Sequence, residues 1–281
     1  MDSSVSIVIP TFNRHNSLLK VIRSIMPLSK EYNIPIVIVD NNSTDTTPAI
    51  CSELMNRYKL ITYVRNHVNI GMEMNILRSI LLAGTSHVWC VGDDDELSPD
   101  VVASFTKYNY YDLIINSDAT FIVDRNMLTA PVNGKMTFTS FSHFAKYFYQ
   151  TDIEVLTGIT WISGVVLKRS LVDSEAAVSR LNQNFAHTYS YLSNLISSGG
   201  TVSVIPKRLV REQHIKMQRS PDSESYLERT FQYSVYQVLD KIATECGLEE
   251  RMSYLSYIQE ISLRYNVSPG ILMKGHCPWL Y

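Results

Sequence analysis

Long apolar runs are missing from this chain of 281 residues: no window approaches the roughly 20 apolar residues that a membrane-spanning helix requires. A helical membrane protein is thereby excluded, leaving a soluble chain or one attached at a membrane surface. The opening run Val5-Ser6-Ile7-Val8-Ile9-Pro10 is too short for a secretion-signal core and has no basic residues ahead of it, so it is read as a first strand. Cysteine is sparse: Cys51, Cys90, Cys246 and Cys277 are scattered, with no C-x-x-C pair. That spacing excludes a zinc ribbon and a disulfide framework, and reduced, structural thiols fit the cytoplasm. There is also no block of Lys or Arg, and the net charge is -2, so an extended nucleic-acid footprint is excluded. Any phosphate binding must come from local basic clusters. No repeat or low-complexity tract is present.

What is there is a hydrophobic content of 45%, enough for a full core without staples, in one domain with an appendage or two small domains. Its most informative stretch is Val88-Trp-Cys-Val-Gly-Asp93-Asp94-Asp95-Glu96-Leu-Ser-Pro99, an apolar run that ends in four consecutive acids. Val88 to Val91 reads as a buried strand and Pro99 suits the first turn of a helix, so the acids belong to a strand-to-helix loop. Adjacent like charges repel, and a divalent cation bound by hard carboxylate oxygens relieves that repulsion. A solvated acidic turn is the alternative for such a run taken without context.

The context is a regular alternation. Strands are expected at Val5 to Ile9, Ile34 to Val39, Leu60 to Val64 and Val88 to Val91. Between them lie helical patterns, such as Leu18, Leu19, Ile22, Ile25 and Met26, then Met74, Leu77, Ile80 and Leu81. β-α-β-α-β-α-β over about 95 residues implies right-handed crossovers and a mostly parallel sheet buried on both faces. Loops after Asp40 and Asp93 would then share the carboxyl edge, where open α/β sheets bind ligands. Further on, Asp112 to Asn116 reads as a strand, Ala119 to Phe138 as a hairpin and Ser140 to Tyr149 as a helix. Thr160 to Leu167 reads as a strand that Gly164 opens to close approach, Asn184 to Ser197 as a helix and Val202 to Ile205 as a strand. Helices are expected beyond Ser220-Pro221, broken at Gly247. The division is therefore an α/β domain over 1–220 and a helical C-terminal appendage over 221–281.

Four features together resemble the GT-A glycosyltransferases, specifically the large family 2 of nucleotide-sugar-dependent enzymes. They are Val5-Ser-Ile-Val-Ile-Pro-Thr-Phe-Asn-Arg14, Ile38-Val-Asp-Asn-Asn-Ser-Thr-Asp45, Asn69-Ile-Gly71 ahead of a helix, and the acids before Leu97-Ser98-Pro99. Their order and spacing carry the resemblance over the first hundred residues; it weakens from about 110 to 220 and is absent beyond. It implies the GT-A fold, a mostly parallel sheet flanked by helices, and transfer of a sugar from a CDP-, dTDP-, UDP- or GDP-linked donor. Thr11, Asn13, Arg14, Asp40, Asn42, Asn69, Gly71, Asp93 and Asp94 would line the nucleotide site, Asp40 otherwise being a strand-end turn residue. Asn69 and Gly71 serve equally as a plain helix cap or as a phosphate approach at a helix N-terminus. The family's D-x-D motif maps onto Asp93-Asp94-Asp95, with Asp95 on Mg²⁺ or Mn²⁺ and Asp93 facing sugar or ribose. His214 would complete the metal shell or bond the diphosphate beside Arg211, Lys216 and Arg219, unless that segment is a solvated basic loop.

The sequence departs from the family where an acidic pair usually supplies the catalytic base: Asn184-Phe-Ala-His187-Thr-Tyr-Ser-Tyr191 has no acid. His187 is the candidate base, or else a structural or acceptor-binding histidine, with Asp152 and Glu154 as alternatives. This departure and the aromatic-rich second half are similar to family 2 members that add dideoxyhexoses, such as abequosyltransferases of O-antigen assembly. Such enzymes work on lipid-linked oligosaccharide at the cytoplasmic membrane face. The C-terminal helices and the tail Pro278-Trp-Leu-Tyr281 are read as a membrane-surface or homodimer contact, or as packing on the catalytic domain. A sugar-nucleotide pyrophosphorylase is set aside because Pro10-Thr-Phe-Asn-Arg14 has no glycine. A binding protein that kept the fold and lost the chemistry stays as the alternative.

Overall fold

The computed structural model describes residues 4–107, 119–123, 135–137, 161–179, 181, 185–206, 209–212 and 237–265. The first half follows the expected alternation. Strand β1 (Val5–Thr11) leads through α1 (His15–Tyr32) to β2 (Ile36–Asp40), and α2 (Thr47–Arg57) leads to β3 (Ile61–Arg65). Helix α3 (Met72–Leu81) then leads to β4 (His87–Cys90). Within the acids the chain departs from the expected plain loop: Asp95 opens a short strand, β5 (Asp95–Leu97), before α4 (Val101–Lys107). The reason is a partner that local pattern cannot reveal, β10 (Val210–Glu212), which pairs with β5 antiparallel.

The remaining strands are β6 (Ala119–Val123), β7 (Lys135–Thr137), β8 (Val165–Lys168) and β9 (Thr201–Pro206). The helices are α5 (Ser174–Ser179), α6 (Ala186–Ser197), α7 (237–246) and α8 (Leu248–Tyr265). The large sheet has the order β3-β2-β1-β4-β8-β6-β9-β7. β3, β2, β1 and β4 are mutually parallel, β9 runs parallel to β6, and β8 and β7 are antiparallel to their neighbours. The hairpin expected over Ala119 to Phe138 is corrected here. β6 and β7 do not pair with each other; β9 lies between them, and its buried Val202, Val204 and Ile205 fill the position that a hairpin partner would occupy. The expected strand from Thr160 is also shortened, because Ile162–Gly164 form a 3₁₀ turn before β8 begins. The strand at Asp112 to Asn116, the helix at Ser140 to Tyr149 and the domain boundary at 220/221 lie outside the described residues.

Period-two alternation gives the sheet two buried faces. Ile7, Ile9, Ile36, Ile38 and Trp89 face α1 and α2, while Val8, Val37, Val39, Val88 and Cys90 face α3, α6 and the C-terminal helices. Each such aliphatic side chain stabilises the fold by about 1.5–3 kcal/mol through burial. Val238, Leu239, Ile242 and Ala243 of α7 and Tyr254 and Ile258 of α8 join the second face's cluster with Leu192 and Leu195. Among the described residues no helix is long and apolar enough to cross a membrane. Cys51 and Cys90 are free and buried, Cys246 free and exposed; burial pushes the Cys51 thiol up to about 12 and raises that of Cys90, so both are poor nucleophiles.

Candidate active site

The chain lays β2 and β3 on one side of β1 and then crosses to place β4 on the other, so direction switches at β1. In open α/β sheets a crevice forms at the carboxyl ends beside such a switch. Thr11 ends β1, Asp40 ends β2, and the acids follow β4. Parallel pairing alone therefore brings the first, second and fourth loops to one edge, as the sequence predicts.

Within the acid loop the carboxylates have three different environments. Asp93 is buried, accepting from the Thr11 hydroxyl at 2.7 Å and from Arg14 Nη1 at 3.0 Å. Burial raises its carboxyl to about 6, partly opposed by Arg14 and the Thr11 hydrogen bond. Asp94 keeps its side chain 32% exposed and accepts from the same Arg14 nitrogen at 2.5 Å. Asp95 turns inward: its Oδ2 accepts from the Ser163 hydroxyl at 2.5 Å and from Trp161 Nε1 at 3.0 Å, and the residue is 3% exposed. Ser163 also accepts from Gly92 N at 2.8 Å, and its carbonyl accepts from Trp89 Nε1 at 2.9 Å. A Cβ at Gly92 would stand 2.8 Å from Asp95 Oδ2 and 3.1 Å from Asp94 Oδ1, so the loop closes this tightly only around glycine. Trp161 and Ser163 escape sequence reasoning; the available signal is their place ahead of Gly164, a position marked for close approach.

The second loop is held as firmly. Asp40 is fully buried, with Oδ1 accepting from Ser43 N and Oδ2 from the Tyr63 hydroxyl, both at 2.8 Å, while Arg65 Nε makes an ion pair with Oδ2 at 3.6 Å. Its carboxylate thus shapes the loop, and Tyr63 is a partner that the sequence does not disclose. Asn13, at φ 53°, accepts from Thr44 N at 2.7 Å, while its own N–H donates to Ser43 Oγ at 2.8 Å, stapling the first loop to the second. Asn42 adopts φ 64°, tolerable for asparagine, and is only partly buried. Asn41, not singled out from sequence, uses its whole amide: Nδ2 donates to Asn69 Oδ1 and the Gly71 carbonyl, and Oδ1 accepts from Asn66 Nδ2 and Ile70 N. Asn69 Oδ1 also accepts from Gly71 N. At Gly71, where φ is 83°, a Cβ would meet nothing within 4 Å, so there is open space at the start of α3.

His187 lies in the first turn of α6. It is 8% exposed, edge-on to the Phe185 ring at 6.1 Å, and lines a small apolar cavity with Cys90, Val88, Trp161 and Tyr191. Arg211 is exposed on β10 opposite Glu96, so pairing with β5 puts the start of the basic segment beside the acids. His214, Lys216, Arg219, Asp152 and Glu154 lie outside the described residues.

Among the described residues no three His, Cys, Asp or Glu side chains converge as a ready-made metal cage. The donor set nevertheless fits Mg²⁺ or Mn²⁺ held in the manner these ions favour, by one or two carboxylates together with substrate phosphates and water. Asp94, with a partly exposed carboxylate already paired to a cation, is a fitting donor beside Asp95, the donor to which the motif points, whose Oδ2 also accepts two internal hydrogen bonds.

A sheet of this order, with its loops gathered at the switch point, is that of the GT-A glycosyltransferases, and solved structures agree. The chain is similar to TarS 1-349 of S. aureus, with a TM-score of 0.57 at 14% identity over 95% of this chain and 73% of that one. It is also similar to the mannosyltransferase PcManGT from Pyrobaculum calidifontis, solved with GDP-Man and Mn²⁺, with a TM-score of 0.56 at 14% identity over 100% of this chain and 81% of that one. Glycosyl transferase family 2 matches residues 6–157, more than half of the sequence, and the chain belongs to that family. Among curated relatives, the abequosyltransferase RfbV of Salmonella typhimurium is 39% identical over 106 residues, covering 37% of this chain. The match spans about a third, 32%, of that relative's length.

Proposed function

We propose that this family 2 glycosyltransferase is an inverting, metal-dependent enzyme that moves a sugar from a nucleoside diphosphate to a hydroxyl of a glycan, of the lipid-linked O-antigen type. The observation that carries this reading is the convergence of Thr11, Arg14, Asp93 and Asp94 at the carboxyl edge beside the Asp40 loop. The likeness to the abequosyltransferase of Salmonella typhimurium supports the O-antigen part, and a neighbour solved with GDP-Man and Mn²⁺ supports the donor class and the metal.

In this reading Asn13, Asn42, Asn69 and Gly71 border the nucleotide, with Asp40 acting through the loop it anchors. Arg14 and Arg211, with His214, Lys216 and Arg219, meet the diphosphate. Asp93, fixed by Thr11, faces ribose or sugar. Asp95, the donor of the D-x-D motif, and the neighbouring Asp94 would hold the Mg²⁺ or Mn²⁺, which when bound supplies charge neutralisation to the departing diphosphate. The acceptor oxygen forms a bond to the anomeric carbon as the carbon–oxygen bond to the diphosphate breaks, with inversion, and the hydroxyl proton passes to a base. His187, Asp152 and Glu154 are the candidates for that base.

The test is release of nucleotide from a panel of nucleotide sugars, with and without Mn²⁺, using a lipid-linked oligosaccharide acceptor. Mn²⁺-dependent turnover is expected for one donor; tight binding with no turnover of any donor would instead identify a sugar-nucleotide-binding protein. His187→Ala assigns the base: a fall in kcat of about 100-fold or more places it at His187, and near-normal turnover moves it to Asp152 or Glu154.

A further inference from the structure

A single nitrogen, Arg14 Nη1, stands between two carboxylates, 3.0 Å from Asp93 Oδ1 and 2.5 Å from Asp94 Oδ2. Guanidinium groups commonly meet one carboxylate through a two-pronged fork. Here one nitrogen bridges two, as a compact point cation would. Other contacts of the acid loop are internal: Thr11 holds Asp93, and Ser163 and Trp161 hold Asp95. Arg14, by contrast, is a long side chain with a third of its surface, 34%, in solvent. It also stands at the N-cap of α1, where the helix dipole disfavours a cation, so the acids are what retain it there. A diphosphate bound at this edge would offer the guanidinium oxygens of matching geometry.

We propose that Arg14 is the resident counter-ion of the acid loop, and that a divalent cation gains Asp94 only as a nucleoside diphosphate draws the guanidinium away. Metal and diphosphate then bind together, and each binds poorly alone. This role presupposes the metal-dependent reading above. The apparent affinity for metal alone is reduced by the fraction of molecules in which Asp94 is free, so a guanidinium in place about 90–99% of the time weakens it about 10- to 100-fold.

The experiment titrates Mn²⁺ alone into the full-length protein and follows free Mn²⁺ by electron paramagnetic resonance. Arg14→Gln is expected to bind Mn²⁺ at least about tenfold more tightly than wild type, and Arg14→Lys, which keeps a cation in place, to stay within about threefold of wild type. Thermal unfolding provides a second readout and verifies that the variants fold. Wild type is stabilised by Mn²⁺ with inorganic pyrophosphate and little by either alone, whereas Arg14→Gln is stabilised by Mn²⁺ alone. Equal Mn²⁺ affinity in wild type and Arg14→Gln, or a tightening in Arg14→Lys as large as that in Arg14→Gln, overturns the proposal. Donor turnover by wild type alongside such a result leaves the transferase standing, whereas no turnover with any donor refutes the transferase whatever Arg14 does.

Discussion

Gly92 lies under Asp94 and Asp95. Alanine there would meet Asp95 Oδ2 at 2.8 Å and Asp94 Oδ1 at 3.1 Å, and Asp95 cannot yield easily because Ser163 and Trp161 hold it. Gly92→Ala is therefore expected to lower donor turnover about 10- to 100-fold, since sub-ångström to ångström misplacement costs that much, while the variant still folds. Asp45 illustrates a residue that acts on stability instead. Burial would raise its carboxyl, but hydrogen bonds from Thr47 and His15 outweigh that and bring it down to about 2 from 3.8. A carboxyl depressed in the folded state contributes stability that is present above about pH 4 and lost as pH falls toward 2. Asp45→Ala, which uncaps an N–H at the start of α2, should cost about 1 kcal/mol at pH 7. Urea midpoints of the two proteins should draw together as pH is lowered from about 5 to about 3.

At the scale of elements, the site depends on how the second and third loops are tied to α3. Asn41 does this with both ends of its amide, so Asn41→Asp exchanges a donor for a carboxylate oxygen facing Asn69 Oδ1 and the Gly71 carbonyl. A loss of about 2 kcal/mol is expected, because the change both breaks two hydrogen bonds and opposes like-signed oxygens. Denaturant unfolding reads the stability and the donor KM reads the site, and both should worsen. Strand positions and helix patterns are legible in the sequence wherever burial repeats with a fixed period, as in Ile7, Ile9, Ile36 and Ile38. The pairing of β5 with β10 and the placement of β9 between β6 and β7 are not, since strand neighbours distant in sequence leave no mark on local pattern.

For the molecule as a whole, the helices read as an appendage contribute to the main core. Tyr254 is fully buried and Ile258 nearly so, in one cluster with Val8, Val88 and Leu195. Tyr254→Ala should cost about 3 kcal/mol by emptying that volume. Thermal unfolding should remain a single cooperative transition shifted downward; a separate early transition with the sheet intact would show that the helices melt independently.

Sequence alone determined the half-sheet, the edge at which the first, second and fourth loops gather and the family, because alternating burial and short loop motifs are local properties of the chain. Tertiary structure alone decided what surrounds each acid. Asp93, Asp94 and Asp95 are identical side chains at adjacent positions, and they differ only in what reaches them from afar: Thr11 and Arg14 for the first two, Trp161 and Ser163 for the third. Charge and burial at a carboxylate are set by neighbours in space, and those neighbours come from segments far removed along the chain.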